Sequence, residues 1–139
     1  MLTKAATVRK FRQAARQRLT TAEFLLRHRM YLDAKYLGGY GIECALKALI
    51  FRRTPDRAFA AMFKRLTSGK KAHDYEALKG ILKSSPINQS IPASLAVSFQ
   101  RVASWATSLR YEVGRGNPKD TAAFFEAARE IVRWVENVL

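Results

Sequence analysis

Apolar residues recur at every third or fourth position along most of this chain, and this spacing constrains the fold more than any other feature. In the first part of the chain the recurring residues are Phe11, Ala15, Leu19, Ala22 and Leu26. Such a period places them on one face of an α-helix, whereas a half-buried strand alternates with a period of two. The spacing therefore predicts a first helix over about Thr7 to His28, with its arginines largely in solvent.

The same period predicts four further core helices and no strand. We expect them over about Leu32–Arg53, Asp74–Lys83, Pro92–Tyr111 and Pro118–Val138, with a short amphipathic helix at about Ala58–Leu66. Asn117 can cap the last helix, and Asp120 opposes the positive end of its dipole. A chain of 139 residues fits one domain. The sequence thus predicts an all-α fold, an antiparallel bundle of about five helices in a single domain over residues 1–139.

The fourth predicted helix carries a seam of bundle type. Its apolar residues follow a 4-3-4-3 spacing and are Leu95, Phe99, Val102, Ala106 and Leu109. That spacing is typical of helices that pack in bundles, so we expect one continuous helix to about Tyr111. Trp105 and Trp134 adjoin apolar stripes, which favours a place in the core or a dimer interface over base stacking.

Three glycines, Gly38, Gly39 and Gly41, lie inside the second predicted helix. Each costs roughly 1 kcal/mol relative to alanine in a helix interior. The usual compensation is the close approach of another backbone. A dinucleotide-binding loop is disfavoured, because no strand precedes these glycines and the third glycine of that motif is missing.

The net charge is +14, and nearly all of the excess lies in the first half of the chain. This imbalance indicates an anionic partner, for which nucleic acid, an acidic protein and membrane phosphate are the alternatives. A basic surface tuned only for solubility is the simpler explanation. We predict binding of nucleic acid, RNA more than DNA, or of a nucleotide, with a steep dependence on salt. The candidate phosphate contacts are Arg9, Lys10, Arg12, Arg16, Lys47, Arg52, Arg53, Lys64, Arg65, Lys70, Lys71 and Arg110.

The single cysteine, Cys44, excludes an internal disulfide and a thiolate metal cluster, which favours a reducing cytosol. No stretch approaches the roughly 18 uninterrupted apolar residues of a membrane span. The basic N-terminus lacks the apolar run and cleavage site of a signal peptide. We therefore expect a cytoplasmic protein without a membrane partner.

Three segments of the chain form a pattern when they are taken together. They are Tyr36–Ile50 with the sequence YLGGYGIECALKALI, His73–Leu78 with HDYEAL, and Leu109–Tyr111 followed by a short loop and the helix Thr121–Val135. In order and spacing these segments resemble the HEPN family of small helical bundles, over about Leu19–Leu139. The resemblance implies a helical bundle that dimerises, builds its site across the dimer interface and needs no metal or other cofactor.

Many HEPN proteins are metal-independent ribonucleases, often toxins or defence effectors paired with a nucleotidyltransferase-like protein. Their signature is an Arg followed, after roughly four to six residues, by a His, where the cation holds the phosphate and the imidazole acts on the RNA 2′-hydroxyl. Arg110 matches the arginine, but no histidine follows near Gly116 or Asn117. His28 and His73 have no arginine at the required distance either.

The missing pair places the chain with HEPN branches that resemble binding or accessory modules. We therefore expect a non-catalytic accessory of a toxin–antitoxin or defence system that binds nucleic acid or a nucleotide. One alternative is a divergent ribonuclease whose weak catalytic candidates are Arg110, Tyr111, His73 and Glu43. The other alternative is a protein-interaction subunit paired with a nucleotidyltransferase-like protein.

Two of these candidates have a simpler structural interpretation. Arg110 can bind a phosphate beside a stacking Tyr111, but we favour an internal ion pair with Glu43, because an unpaired buried carboxylate is costly. Lys47, one turn after Glu43, is expected to be its i,i+4 partner, with the lining of a cationic cleft as the alternative. His73 precedes Asp74 at a helix start, where capping is commoner than an oriented imidazole.

Overall fold

The computed structural model of the protein describes residues 2–139, and the side chain of Lys70 lies outside the described part. The helices are α1 (Lys4–Arg27), α2 (Tyr31–Arg53), α3 (Asp56–Leu66), α4 (Tyr75–Lys83), α5 (Ala96–Val102) and α6 (Pro118–Val138). Short 3-10 turns occur at Lys70–His73, Ala93–Leu95 and Thr107–Tyr111. No strand occurs among the described residues, and the predicted all-α class is confirmed.

Helix α2 forms the centre of the bundle. It packs along α1 as a helical hairpin, and α6 and α4 cover its remaining sides. From Ala45 to Phe51 every side chain is buried, because this segment is apolar nearly all round. A helix without a polar face has to lie in the core. Within residues 2–139, no helix combines the length and the hydropathy that crossing a bilayer requires.

Two glycines of α2 lie under closely packed neighbours. A Cβ on Gly41 would lie 2.7 Å from Cγ of Leu19 and 3.4 Å from the carbonyl oxygen of Ala15, so α1 packs directly against this turn. A Cβ on Gly39 would overlap the indole of Trp105. The predicted close approach is therefore present, but its main partners are side chains rather than a second backbone.

Asparagine and aspartate caps begin two of the helices. The Asp74 carboxylate accepts hydrogen bonds from the backbone nitrogens of Glu76 at 2.9 Å and Ala77 at 3.4 Å. Asn117 accepts equivalent bonds at the start of α6, with Pro118 as its first helical residue. Both predicted helix starts are confirmed, and each cap satisfies backbone donors that the helix itself cannot satisfy.

The prediction of one continuous fourth helix to Tyr111 is wrong. Helix α5 ends at Val102, and Ala106 has an extended backbone with φ −153° and ψ 158°. Ala106 is exposed, so the 4-3-4-3 seam stops after Val102. The physical reason is Trp105, whose side chain turns into the core, where its Nε1 donates to the carbonyl of Tyr36 at 3.0 Å. A continuous helix would not place the indole there.

Candidate acid–base site and cationic surface

The carboxylate of Glu43 is the centre of a small ionic cluster in the middle of α2. It is buried, with 4% of the residue exposed. Its Oε2 accepts a hydrogen bond from Nζ of Lys47 at 3.0 Å, and its Oε1 accepts one from Nδ1 of His73 at 2.8 Å. The ammonium of Lys47 is equally buried, so these two charges compensate each other away from water.

His73 reaches this cluster from the end of the 3-10 turn that leads into α4. The turn and the Asp74 cap together fix the residue opposite α2. An ionised carboxylate can only accept hydrogen bonds, so Nδ1 of His73 carries the proton in the contact with Glu43. The side chain of His73 is 43% exposed, which leaves Nε2 available to exchange a proton with a ligand.

The sequence predicted two ion pairs for Glu43, one with Lys47 and one with Arg110, and the structure contains one of them. The i,i+4 pair with Lys47 is confirmed. The prediction of an ion pair between Glu43 and Arg110 is wrong. The chain leaves helical geometry after Val102, and Arg110 lies on the exposed 3-10 turn. There the guanidinium of Arg110 lies 4.8 Å from the ring centre of Tyr111, a cation–π contact at the surface.

Aromatic rings surround the exposed side of the cluster. The rings of Tyr75 and Trp105 stack at 5.3 Å, and the Tyr75 hydroxyl donates to the carbonyl of Gly39 at 2.7 Å. Tyr40 meets both Trp105 and His73 edge to face, at 5.0 Å and 6.3 Å. These rings form walls beside the cluster, and 43% of the His73 side chain stays exposed.

Tyr40 is held in its neutral form. Burial is the largest cause of its raised pKa, and the neighbouring Tyr36 hydroxyl at 3.4 Å and the Glu43 carboxylate add to it, while the positive charge of Arg110 acts in the opposite sense. Burial also raises the pKa of the Cys44 thiol to about 11, so this cysteine is not a thiolate at neutral pH. Neither Tyr40 nor Cys44 is therefore ionised near pH 7.

A shallow cavity of about 310 Å³ opens beside His73 between α4 and α5. Its other lining residues are Asp74, Tyr75, Glu76, Phe99, Ala103, Trp105, Ala106 and Thr107. Backbone and aromatic groups dominate this lining, and its two carboxylates make it a poor site for a phosphate. Among the described residues, no group of three His, Cys, Asp or Glu side chains is arranged to hold a metal ion.

The predicted phosphate contacts separate into two groups. Arg12 and Arg16 both contact the carboxylate of Glu136, Arg53 donates to Gln89 and to the carbonyl of Val138, and Lys47 is buried. The remaining ones are exposed and contact no carboxylate among the described residues: Arg9, Lys10, Arg52, Lys64, Arg65, Lys71 and Arg110. The side chain of Lys70 lies outside the described residues.

Sequence reasoning missed the contact between Glu43 and His73, and it missed Tyr40 and Trp105 as the walls of the site. The two members of the contact lie 30 positions apart, on α2 and on the turn before α4. No local spacing connects them. The signal that was present is the isolated acid in an otherwise apolar helix, which has to find a partner when it is buried.

A small all-helical bundle with a buried ionic cluster in its central helix is the class that this fold and site define. Within that class the chain belongs to the HEPN domain family, because the family model described as HEPN domain matches residues 8–138. The resemblance stated from the sequence is therefore confirmed, and the match begins before Leu19. Comparison with curated proteins finds no match, and comparison with solved structures finds none either.

Proposed function

We propose that this protein binds RNA through the exposed cations that contact no carboxylate, and that it acts as a non-catalytic accessory of a toxin–antitoxin or defence system. The observation that carries the proposal is the set of seven predicted contacts without an ion pair among the described residues. The net charge is +14, and the cations that contact no carboxylate repel one another. Bound phosphates relieve that repulsion and release counterions.

Two triple variants that each remove three positive charges test this proposal. The triple variant Lys64→Ala, Arg65→Ala, Lys71→Ala removes three cations that contact no carboxylate. The matched control Lys79→Ala, Arg101→Ala, Arg129→Ala removes three cations that each contact a glutamate. Fluorescence anisotropy with a labelled RNA at about 50 and 200 mM salt gives the affinity and its salt dependence.

The expected result is a loss of about tenfold or more in affinity for the first variant, with a shallower salt dependence, because each lost phosphate contact lowers the slope by roughly 0.7 to 0.9. The control variant should lose much less. Equal losses in both variants would mean that only net charge matters. If the unmodified protein binds RNA with the same affinity at both salt concentrations, binding through these cations is contradicted.

A divergent ribonuclease is the second candidate, and the contact between Glu43 and His73 favours it. In such a reaction Nε2 of His73 would take the proton of a 2′-hydroxyl while that oxygen attacks the adjacent phosphorus, and the 5′-oxygen would leave with a proton from water, which gives a 2′,3′-cyclic phosphate. Arg110 would hold the phosphate. Incubation of labelled RNA with the protein and with His73→Ala tests this. Cleavage that is lost in His73→Ala supports it, and intact RNA with the unmodified protein excludes it.

We also propose that the chain acts in the cytoplasm as one domain that forms a homodimer and pairs with a nucleotidyltransferase-like protein. Exposed apolar side chains on one segment support a protein interface, since 74% of Tyr111 and 92% of Val113 are exposed. Sedimentation equilibrium of the purified protein should give twice the monomer mass, with Val113→Glu lowering it. A monomer mass for the unmodified protein at micromolar concentration would overturn the homodimer.

A further inference from the structure

The last turn of α3, the segment after it and α4 enclose a cavity of about 610 Å³, here called the α3–α4 trough. Its floor is apolar and is formed by Ala61, Leu66, Ala72, Ala77 and Ile81. Volumes of this size are typical of sites that take a small ligand or one unit of a polymer.

The rim of the trough is positive. Lys64, Arg65 and Lys71 line it, all three are exposed, and no carboxylate belongs to the lining. None of the three contacts a carboxylate among the described residues. The hydroxyl of Ser68, which also lines the trough, donates to the carbonyl of Lys64 at 2.7 Å. An occupant must therefore combine an apolar body with negative charge.

We infer that the α3–α4 trough holds one unstacked base of single-stranded RNA, with the flanking phosphates on Lys64, Arg65 and Lys71. A base has two flat apolar faces that a duplex hides in its stack and that a single strand exposes. The floor carries no polar side chain that reads base edges, so the trough accepts any base. This inference rests on the proposed RNA binding and names the form of RNA that the protein takes.

The dimensions of the trough disfavour a helical peptide as its occupant. Its lining spans Ala61 to Leu66 on α3, about 7.5 Å, and Ala77 to Ile81 on α4, about 6 Å, at 1.5 Å per residue. An amphipathic helix docks through anchors at i, i+4 and i+7, which extend over about 10 Å. One nucleotide fits this length, and an acidic helix does not.

The trough also lies next to the Glu43 cluster. Ala72 lines the trough, and the next residue, His73, contacts Glu43. The trough and the exposed side chain of His73 are therefore adjacent in the chain. The trough adds a positioning contact to the candidate acid–base site without requiring that site to be catalytic.

Two neighbouring alanines of α3 provide a matched test. Ala60 and Ala61 are both exposed on α3, and of the two only Ala61 lines the trough. Ala61→Leu narrows the trough without a change of charge, and Ala60→Leu adds the same atoms elsewhere. Affinities are measured for a labelled single-stranded RNA of ten nucleotides and for the duplex of the same sequence. Ala77→Leu changes the trough from the side of α4. It is a second variant, in case Ala61→Leu fails to fold.

We expect Ala61→Leu and Ala77→Leu to weaken single-strand binding by about fivefold, because the added side chain takes the space of the base and its apolar contact is lost, and to leave duplex binding unchanged. Ala60→Leu should bind both forms as the unmodified protein does. Equal single-strand affinity of Ala61→Leu and Ala60→Leu overturns the inference. Displacement of the RNA by hexaglutamate as effective as by an unlabelled RNA of equal charge also overturns it, in favour of an acidic peptide.

Failure of the proposed RNA binding is distinguishable from failure of this inference. If the unmodified protein binds neither RNA form, the proposed function is wrong, and adenosine monophosphate is then titrated while amide resonances are followed. Shifts confined to Ala61, Ala72 and Ala77 support a base site on its own. If those resonances do not move, the trough is not a base site. If the protein binds single-stranded RNA and the duplex with equal affinity, the proposed RNA binding is supported, but the inference that the trough holds an unstacked base is wrong.

Discussion

The indole of Trp105 lies directly over Gly39 of α2, and its Nε1 donates a hydrogen bond to the carbonyl of Tyr36 at 3.0 Å. Only a residue without a side chain leaves room for this contact. The same contact ends α5 early, because Trp105 has to turn inward. One glycine in the central helix thereby determines where a different helix stops and where the aromatic wall beside His73 is placed.

Substitution Gly39→Ala should destabilise the protein by about 2 kcal/mol, since the new methyl group overlaps a buried indole. Urea unfolding followed by circular dichroism measures the change. The matched control is Gly80→Ala in α4, where an added Cβ meets no atom within 4 Å. That control should raise the free energy of unfolding by about 0.5–1 kcal/mol. Equal effects at both positions would contradict the packing of Trp105 over α2.

The ion pair between Glu43 and Lys47 predicts a strong thermodynamic coupling. Glu43→Gln leaves the ammonium of Lys47 buried without a countercharge, which should cost about 3 kcal/mol. The double variant Glu43→Gln, Lys47→Met removes both charges and should recover a large part of that loss. Urea unfolding of the two single variants and the double variant gives the coupling energy. Additive effects would mean that the two charges do not depend on each other.

Local signals in the sequence predicted most of the helices and both caps. The stripe from Phe11 to Leu26 predicted α1, and Asn117 with Pro118 predicted the start of α6, because these signals depend on near neighbours in the chain. The heptad seam through Ala106 failed because one tertiary contact of Trp105 outweighs local periodicity. Such a contact leaves no trace in the spacing of apolar residues.

The candidate site was only partly predictable for the same reason. Lys47 lies one helical turn from Glu43, so this pair follows from the sequence. The contact between Glu43 and His73 depends on how the turn before α4 approaches α2, which no local pattern specifies. The pair between Glu43 and Arg110 was predicted because a buried carboxylate needs a partner, but the structure supplies Lys47 and His73 instead.

The cap at Asp74 positions both α4 and the turn that carries His73. Asp74→Ala should lower the free energy of unfolding by about 1 kcal/mol, because the amide groups of Glu76 and Ala77 lose their acceptor. Asp74→Asn keeps an acceptor oxygen and should change stability by only a few tenths of a kcal/mol. Thermal unfolding of both variants makes the comparison. Equal losses for alanine and asparagine would show that the charge, and not the cap, is what stabilises this helix start.

The contact between Glu136 on α6 and Arg12 on α1 predicts a loss of stability in acid. Nη2 and Nε of Arg12 donate to Oε2 of Glu136 at 2.6 Å and 2.9 Å. These hydrogen bonds are the main cause that lowers the pKa of Glu136 below its ordinary value of 4.5, and the charges of Arg12 and Arg16 act in the same direction. A carboxylate whose pKa is lowered by folding stabilises the folded state above the unfolded pKa.

We therefore expect this stabilisation to be complete above about pH 4.5 and to disappear as the pH falls through the lower pKa of folded Glu136. Both side chains are partly exposed, so the contribution near pH 7 should be about 1 kcal/mol or less. Urea unfolding from pH 3 to 7 should show Glu136→Gln less stable than the unmodified protein at pH 7, with the difference shrinking toward the acid end. Glu112→Gln, at an exposed residue that contacts no cation among the described residues, is the control and should lie close to the unmodified protein throughout. If the difference between Glu136→Gln and the unmodified protein does not change with pH, the hydrogen bonds to Arg12 do not depend on the ionised carboxylate.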